Sequence, residues 1–519
     1  SGLQPAMGSL TGAPGLGDLI LRAAFEDDPP APDYRGYLKR RLAAQGIVDG
    51  ERQWVVFLQR GGRFEPPAGP AGITLPTEPP SGFGALPDPP PGLVLVAAPS
   101  IRFFDGRGAN RPWLCEIPDP LTKVAWQTPL LAHPETLASH GIRHADVVQL
   151  RSAHGSLEAP VYETVAVRPG VLAMTVGQGH SAYGRYAQGE GVDPLGLLPP
   201  ETDALSGGPA FVAGDVMLAP TGRRMTLAHT DGSRIQHGRK IALTTPLQRA
   251  ADRGGHPPKA GLTMWDFPLT LPLPEGYDPK RDVYPPHDHA GYRWSMVVDL
   301  DRCIGCGACA AACYAENSIG VVGAQRIIEG REMAWLRVER YLDPEDERKV
   351  IFLPLMCQHC DNAPCESVCP VYAPHHSKEG LNNQVYNRCI GTRFCSQNCP
   401  YKVRRFNWFT WQWPPPLNLQ LNPDVTARSK GVMEKCSFCI QRIKEAHNAA
   451  KNEGRAIRDG EIQPACLQTC PTGALVFGSL MEPGSRVRRM VTDRRAYQVM
   501  GYLNTKPAVI YLRKVVQEI

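Results

Sequence analysis

The stretch CIGCGACAAAC, residues 303–313, places cysteines at Cys303, Cys306, Cys309 and Cys313. Two-residue spacing lets one tight loop wrap three corners of an iron–sulfur cubane, and small residues between them let backbone amides approach the sulfides. The fourth cysteine, three residues on, is carried away by the chain and ligates the other cluster of a pair. Three more groups follow. CQHCDNAPCESVCP supplies Cys357, Cys360, Cys365 and Cys369; CIGTRFCSQNCP supplies Cys389, Cys395 and Cys399; CSFC and CLQTCP supply Cys436, Cys439, Cys466 and Cys470. Pro370, Pro400 and Pro471 each follow the last cysteine of a group, removing a donor and turning the chain. Zinc would ask for two CxxC pairs or Cys/His mixtures with four ligands each, which is not this pattern. His359 lies inside CQHC, but a Rieske site needs two histidines in place of two cysteines. Here the cysteine set is complete, so His359 is expected to pack or hydrogen-bond near a cluster.

The whole chain has 519 residues and 16 cysteines, of which only Cys115 falls outside 303–470. Tight groups in one region argue for metal rather than a disulfide framework. Net charge is +5 with no basic stripe, so no nucleic-acid partner is expected. No run of about 20 apolar residues is present to span a bilayer as a helix. The chain does not begin with Met, its start SGLQPAMGSL shows no signal peptide, and a removed leader or further upstream residues are expected. CxxCH does not occur, so no c-type haem is expected on this chain.

Outward from the cysteines the chain changes character. YRGYLKRRLAAQG predicts a helix with Tyr37, Leu38, Leu42 and Ala43 on one face and Gly46 as its stop. A Pro/Gly-rich stretch from Glu65 to Gly92 reads as a surface insertion. GLVLVAA, ADVVQLRSAHGSLEAPVYETVAV and GVLAMTVGQG are short β-rich runs cut by turns, and HPETLASHG between them predicts a short helix closed by Gly141. GQGHSAYG lacks the GxGxxG pattern and its strand–helix setting, so it is read as a turn. Cys115 is read as a buried packing residue.

Groups that exchange their last cysteine must come in pairs: the first with the fourth, the second with the third. That nesting resembles the four-cluster ferredoxin-like subunits of molybdopterin oxidoreductases. The resemblance implies a first cluster on Cys303, Cys306, Cys309 and Cys470, and a second on Cys436, Cys439, Cys466 and Cys313. It implies a third on Cys357, Cys360, Cys365 and Cys399, and a fourth on Cys389, Cys395 and Cys369. It also implies two ferredoxin-like halves related by an approximate two-fold. Where a four-cubane relative would read CIGCRYC, this chain has Thr392. A hydroxyl is a poor match for a thiolate on iron, so three [4Fe–4S] clusters and one [3Fe–4S] cluster are expected. A fourth cluster of four irons, with hydroxide or a displaced ligand at that corner, is the alternative.

GYRWSMVVDLDRCIGCGACAAACYAEN, VYNRCIGTRFCSQNCPYKVRRFNWF, GVMEKCSFCIQRI and ACLQTCPTGALVFG further resemble the iron–sulfur B subunit of alternative complex III. FFDGRGANRPWLCEIPDPLTKVAW and the β-rich run after it are similar to the molybdopterin-oxidoreductase-like region fused ahead of the clusters there. The implied fold is α+β: a β-barrel-like molybdopterin-oxidoreductase C-terminal domain, then a double ferredoxin-like four-cluster domain. The implied domains are a partial molybdopterin-oxidoreductase-like region at 1–91, the barrel at 92–265, a linker at 266–292 and the iron–sulfur domain at 293–519. The implied function is electron transfer from quinol toward c-type cytochromes or a terminal oxidase, with no acid–base or nucleophilic residue here. No molybdopterin is expected. Implied partners are an integral membrane quinol-binding subunit, c-type cytochrome subunits and an upstream molybdopterin-oxidoreductase-like piece, all on the periplasmic face of the bacterial inner membrane. The alternative is the electron-transfer subunit of a true molybdenum enzyme of the polysulfide, dimethyl sulfoxide or nitrate reductase class. A scaffold role for the molybdopterin-like part, with the outer clusters off the redox path, is a third reading. YKVRRFNWFTWQW, residues 401–413, is read either as a docking surface for the membrane subunit or as local packing around the cluster, with Arg404–Arg405 an accidental twin arginine.

Overall fold

The structure, a computed structural model, describes residues 15–25, 28–59, 62, 92–202, 207–248, 289, 291–344, 346 and 348–517. The chain forms two compact units, Ser1–Asp88 and Pro89–Ile519. The expected Pro/Gly-rich insertion lies outside the described residues except for Gly92, and the expected linker at 266–292 except for His289 and residues 291–292.

The described residues of the first unit hold three helices: α1 (Leu16–Phe25), α2 (Tyr34–Ala44) and α3 (Gly50–Gln59). Asp33 caps α2 by accepting the Gly36 amide at 2.6 Å, and Gly46 closes it in the left-handed region, φ +66°. The expected apolar face is not buried: no side chain of α2 is, because charged residues surround the helix. The sequence reading missed α1 and α3.

The second unit opens with a closed six-stranded barrel: β1 (Leu93–Pro99), β2 (Leu130–Ala132), β3 (Asp146–Arg151), β4 (Ser156–Glu163), β5 (Val171–Val176) and β6 (Val212–Arg224). Its order is β1-β5-β2-β4-β3-β6. Alternation builds it: Leu172, Met174 and Val176 of β5 point inward against Leu95, Val148 and Val161. Two helices accompany the strands. α4 (Pro112–Glu116) starts with proline, and α5 (Pro134–Ser139) ends at Gly141 in the left-handed region, φ +67°.

The longest strand, β6, escaped the sequence reading because Pro220 and Gly222 interrupt its pattern. The structure uses both residues at a register break. Val147 pairs with Arg223 and Val148 with Pro220, so Thr221 and Gly222 bulge out between them. The Thr221 hydroxyl donates to the Val147 carbonyl and satisfies it. β6 closes the barrel by pairing with β1 through Val212, Ala213 and Val216, ahead of this bulge.

After β7 (Thr244–Pro246) comes the cysteine-rich part, built on β8 (Trp294–Asp299), whose six residues are all buried. Helices α6 (Ala308–Glu316), α7 (Pro364–Ser367), α8 (Phe394–Asn398), α9 (Ile440–Asn452) and α10 (Ala465–Gln468) carry or flank the cysteines. Three two-stranded ladders lie between them: β9 (Arg337–Leu342) with β10 (Val350–Leu355), β11 (Pro374–His376) with β12 (Asn382–Gln384), and β13 (Arg405–Phe406) with β14 (Met433–Glu434). A four-stranded sheet joins β15 (Leu475–Ser479), β8, β17 (Val509–Leu512) and β16 (Ala496–Tyr497) in that order. Finally β18 (Lys514–Val516) pairs in parallel with β7. α6 packs on α10, and α7 on α8, so the first and fourth cysteine groups share one helix pair and the second and third the other.

Buried polar groups bind barrel to cysteine-rich part. The Trp113 indole donates to the Ile319 carbonyl at 2.8 Å, Lys123 to the Val338 carbonyl, and Arg340 to Asp231. Oε1 of Glu116 accepts from the Val322 amide at 3.0 Å, the Gly323 amide at 2.8 Å and the Trp126 indole at 3.0 Å. Its other oxygen, Oε2, is buried without a hydrogen-bond partner among the described residues. Burial pushes the Glu116 carboxyl up to about 7, against the pull of those donors. A pKa above the unfolded value of 4.5 means that stability is greatest with the proton on and is lost as pH rises through about 7. We expect the wild-type unfolding midpoint to fall as pH rises from about 4.5 to about 7, with a free-energy change on the order of 3 kcal/mol. Glu116→Gln should flatten that dependence; an equal slope in the variant would refute the assignment.

Candidate iron–sulfur sites

The first loop turns through two glycines with left-handed backbones, Gly305 at φ +74° and Gly307 at φ +77°, before α6 begins. A Cβ on Gly305 would meet the Phe352 ring at 2.6 Å, so glycine is required for space as well as conformation. Cys303, Cys306, Cys309 and Cys470 line one cavity with Ala474 and Leu475. Cys313, at the far end of α6, instead faces Cys436 and Cys439, and Cys466 faces the same three thiols. Cys360 stands with Cys357, Cys399 and Cys365. Cys436 lies near Cys357, which brings the two halves together at that point.

Cys369, Cys389 and Cys395 are held by their own surroundings. The Ala373 amide donates to the Cys369 sulfur at 3.3 Å, and the Met433 amide to the Cys389 sulfur at 3.4 Å. The Cys369 contact has a twin in the other half, where the Ala474 amide donates to Cys470 at 3.3 Å, again four residues after a Cys-Pro. The loop around Thr392 copies the first loop. Gly391 has φ +78° where Gly305 has +74°, and Arg393 has φ +64° where Gly307 has +77°, each of the latter pair immediately before a helix. Thr392 therefore occupies the place of Cys306, and it is exposed where Cys306 is half-buried.

All sixteen cysteines are free thiols. Burial, reinforced by neighbouring thiols, pushes Cys313, Cys360 and Cys466 well above the usual thiol range. Such thiols do not ionise unaided; a bound metal supplies the charge that makes thiolates of them. Among the described residues no three His, Cys, Asp or Glu side chains gather for a single ion; the first four thiols surround a cavity. Two buried cations add to the fit. Lys435 is 1% exposed and donates to the Cys436 carbonyl at 2.8 Å. Arg404 is 5% exposed and donates to the Cys365 sulfur at 3.5 Å and to Asn382 Oδ1 at 3.3 Å. Neither forms a carboxylate ion pair among the described residues. Burial pushes the Arg404 guanidinium down, but Cys365, Cys395 and Cys357 more than offset it and hold it above its ordinary value. A buried cation beside thiols calls for a negative partner, which thiolate-bound iron–sulfur clusters provide. The donor set and its surroundings fit that cofactor.

His359 is fully buried; its Nδ1 accepts the Asn382 amide at 3.1 Å, and its ring stacks on Phe438 at 4.0 Å. Burial, then Lys435 and Arg293, hold its pKa well below the usual value, so the ring is neutral. Cys115 is buried in the apolar cluster under the barrel, its thiol pushed up to about 12 by burial. The two readings of residues 401–413 divide along the stretch. Tyr401, Val403, Arg404 and Asn407 are buried against the cysteine loops, whereas Trp408 is 39% exposed. Larger apolar exposure lies beside Cys369, Cys389 and Cys395: Ile390 at 64%, Phe394 at 57% and Tyr372 at 55%. The sequence reading missed Arg404, Lys435, Asn317 (which donates to Cys313 at 3.5 Å) and Asn382. Only the polar character of residues next to cysteines hinted at them.

Three family models match. A molydopterin dinucleotide binding domain covers residues 119–214, and two 4Fe-4S dicluster domains cover 296–373 and 348–414. The chain is 41% identical over 230 residues to the menaquinone reductase, iron-sulfur cluster-binding subunit, of Nitratidesulfovibrio vulgaris, covering 43% of this chain and 89% of that protein. It is 33% identical over 241 residues to the Hdr-like menaquinol oxidoreductase iron-sulfur subunit 1 of Archaeoglobus fulgidus, covering 43% and 83%. It is 32% identical over 251 residues to the arsenate respiratory reductase iron-sulfur subunit of a Shewanella species, covering 43% and 96%. A solved acetylene hydratase from Pelobacter acetylenicus aligns with 25% of this chain and 18% of its own, at 16% identity and a TM-score of 0.20.

Proposed function

The chain belongs to the family of iron–sulfur electron-transfer subunits that accompany molybdopterin oxidoreductases, and from that premise we propose that it carries electrons from quinol, oxidised in a membrane partner, toward c-type cytochromes, as in alternative complex III. The names of two relatives, a menaquinone reductase subunit and a menaquinol oxidoreductase subunit, support the link to quinone. The ligand sets are those of the resemblance, with three [4Fe–4S] clusters and a [3Fe–4S] cluster at Cys389, Cys395 and Cys369. The matched backbone of the Thr392 and Cys306 loops carries this reading: the cluster loop is kept while one thiolate is replaced by a hydroxyl.

When bound, iron–sulfur clusters take up and pass on single electrons without proton chemistry of their own. The chain's residues hold and shield them. Ala373, Ala474 and Met433 amides donate to sulfur, Gly305 lets the loop close against Phe352, and apolar side chains such as Leu475 exclude water. Among the described residues no helix is long and apolar enough to cross a membrane. Ile390, Phe394 and Tyr372 offer an exposed apolar rim beside Cys389 and Cys369 for the membrane quinol subunit. We place the chain on the periplasmic face of the bacterial inner membrane, with c-type cytochrome subunits and an upstream molybdopterin-oxidoreductase-like piece as further partners. Ile390→Glu is expected to slow quinol-driven reduction of the complex roughly tenfold or more while iron content stays unchanged; an unchanged rate would remove the rim from the docking surface.

The arsenate respiratory reductase relative and the matched molydopterin dinucleotide binding domain favour a second reading, the electron-transfer subunit of a molybdenum enzyme. Metal analysis of the purified complex separates the two. The quinol-oxidising reading predicts iron without molybdenum and quinol-driven bleaching of the iron–sulfur absorbance. Stoichiometric molybdenum would select the alternative.

A further inference from the structure

Four other buried or half-buried guanidiniums of this part have carboxylate partners. Arg293 pairs with Asp361 at 2.9 Å, Arg340 with Asp231, Arg405 with Glu332 and Arg428 with Glu434 at 3.1 Å. Arg404 differs. Its Nη1 donates to the Cys365 sulfur at 3.5 Å and to Asn382 Oδ1 at 3.3 Å, and Nη2 donates to Gln384. The thiols acting on it come from two ligand sets: Cys365 and Cys357 from one, Cys395 from the next. Two neutral amides fix its plane, and among the described residues no carboxylate neutralises its charge.

The chain contains its own comparison. Arg404 stands five residues after Cys399, the last cysteine of its group. The residues five after Cys313, Cys369 and Cys470 are Ser318, Pro374 and Leu475. Leu475 is 4% exposed and lines the cavity of Cys303, Cys306, Cys309 and Cys470. Of four corresponding places, one bears a charge, and it is buried between two thiol sets of the same half.

We infer that Arg404 is a positioning residue that serves as the shared counter-cation of two cluster sites and sets their reduction potentials above those of the half containing Leu475. Each reduction adds a negative charge beside a guanidinium that is only 5% exposed. A fixed positive charge at hydrogen-bond distance favours the reduced state, and low local polarity leaves that attraction weakly screened. The amide partners Asn382 and Gln384 matter because they orient the guanidinium without cancelling it, as a carboxylate would. The direction suits an electron route that begins in the Arg404 half, where the exposed rim of Ile390 and Phe394 also lies. This inference rests on the ligand sets proposed above; iron content tests those sets, whereas potentials test Arg404.

The test is a redox titration of the cluster-loaded complex, followed by visible absorbance and electron paramagnetic resonance, for wild type, Arg404→Gln and Arg404→Lys. With full iron, Arg404→Gln should divide the components. Those of one half should fall by 59 mV or more, tenfold in the one-electron equilibrium, while those of the other half hold. Arg404→Lys, which keeps the charge, should recover most of the shift. Full iron with every potential unmoved, or all components moving equally, would overturn the inference. Should Arg404→Gln lose iron, Arg404→Lys decides: iron retained with near wild-type potentials supports the shared cation. A tenfold fall in the lysine variant, or iron lost from both, would reduce Arg404 to a packing residue.

Discussion

Replacing Thr392 by cysteine is expected to add one iron per chain, to erase the paramagnetism of the oxidised protein, and to lower the potential at that site. The loop needs no rebuilding. Gly391 and Arg393 already hold the backbone that Gly305 and Gly307 give the first loop, and residue 392 already sits where Cys306 does. A thiolate there would supply the corner that the proposed three-iron cluster lacks, with charge and softness matched to iron. Each 59 mV of lowering costs tenfold in the one-electron equilibrium, so quinol-driven reduction should slow by about tenfold or more. Cys395→Ser works in the opposite sense. Cys395 is buried on α8, and only Cys389 and Cys369 would remain to hold the site. The cluster should be lost, with iron falling by a whole cluster and the other potentials little changed. Thr392→Cys that binds no extra iron would mean that residue 392 does not face the cluster.

The second large effect is on stability. Arg428 and Glu434 are each 1% exposed at the side chain and pair at 3.1 Å. Arg428 also donates to the Thr426 carbonyl at 2.7 Å and the Ser318 carbonyl at 3.2 Å, and its guanidinium lies 4.9 Å from the Trp335 ring centre. Glu434 in turn accepts from Asn407 at 2.9 Å and Trp335 at 3.1 Å, and two residues later the chain reaches Cys436. Arg428→Met leaves Glu434 charged, buried and short of its strongest partner. Loss of one member of a buried pair costs about 3–5 kcal/mol. The denaturant midpoint should drop accordingly, with iron released from the Cys436 loop at lower denaturant than from the rest. Arg428→Met with Glu434→Gln should recover much of the loss, since no unpaired charge is then buried. A single variant within about 1 kcal/mol of wild type would show that water reaches the pair.

The cysteine groups were legible because their spacing is local. A loop of eleven residues carries its own spacing, glycines and exit helix, so Cys303 to Cys313 declares itself without the rest of the fold. The barrel was partly legible for a similar reason: β5 alternates cleanly, whereas β6 hides behind Pro220 and Gly222, whose bulge is meaningful only beside Val147 of β3. Buried polar groups were not legible at all. Glu116 becomes a buried acceptor through amides some two hundred residues away, and Arg404 becomes a cluster-side cation through Asn382, Gln384 and Cys365 on other segments. In the sequence Arg404 is half of an RR pair; its neighbour Arg405 turns to Glu332 and is an ordinary buried ion pair. Nor could the pattern at 401–413 say which aromatics are covered. That depends on β13 pairing with β14, after which Ile390 and Phe394, rather than the aromatic run, present the larger apolar exposure.

Electron paramagnetic resonance of the air-oxidised, cluster-loaded wild-type protein, with spin counting against protein and iron, tests the three-iron site at Thr392 most directly. Oxidised [4Fe–4S] clusters are silent and an oxidised [3Fe–4S] cluster is not. One spin per chain with the narrow signal of a three-iron cluster, vanishing in Thr392→Cys, is the predicted result. A silent oxidised protein with a full cubane's iron at every site would contradict it.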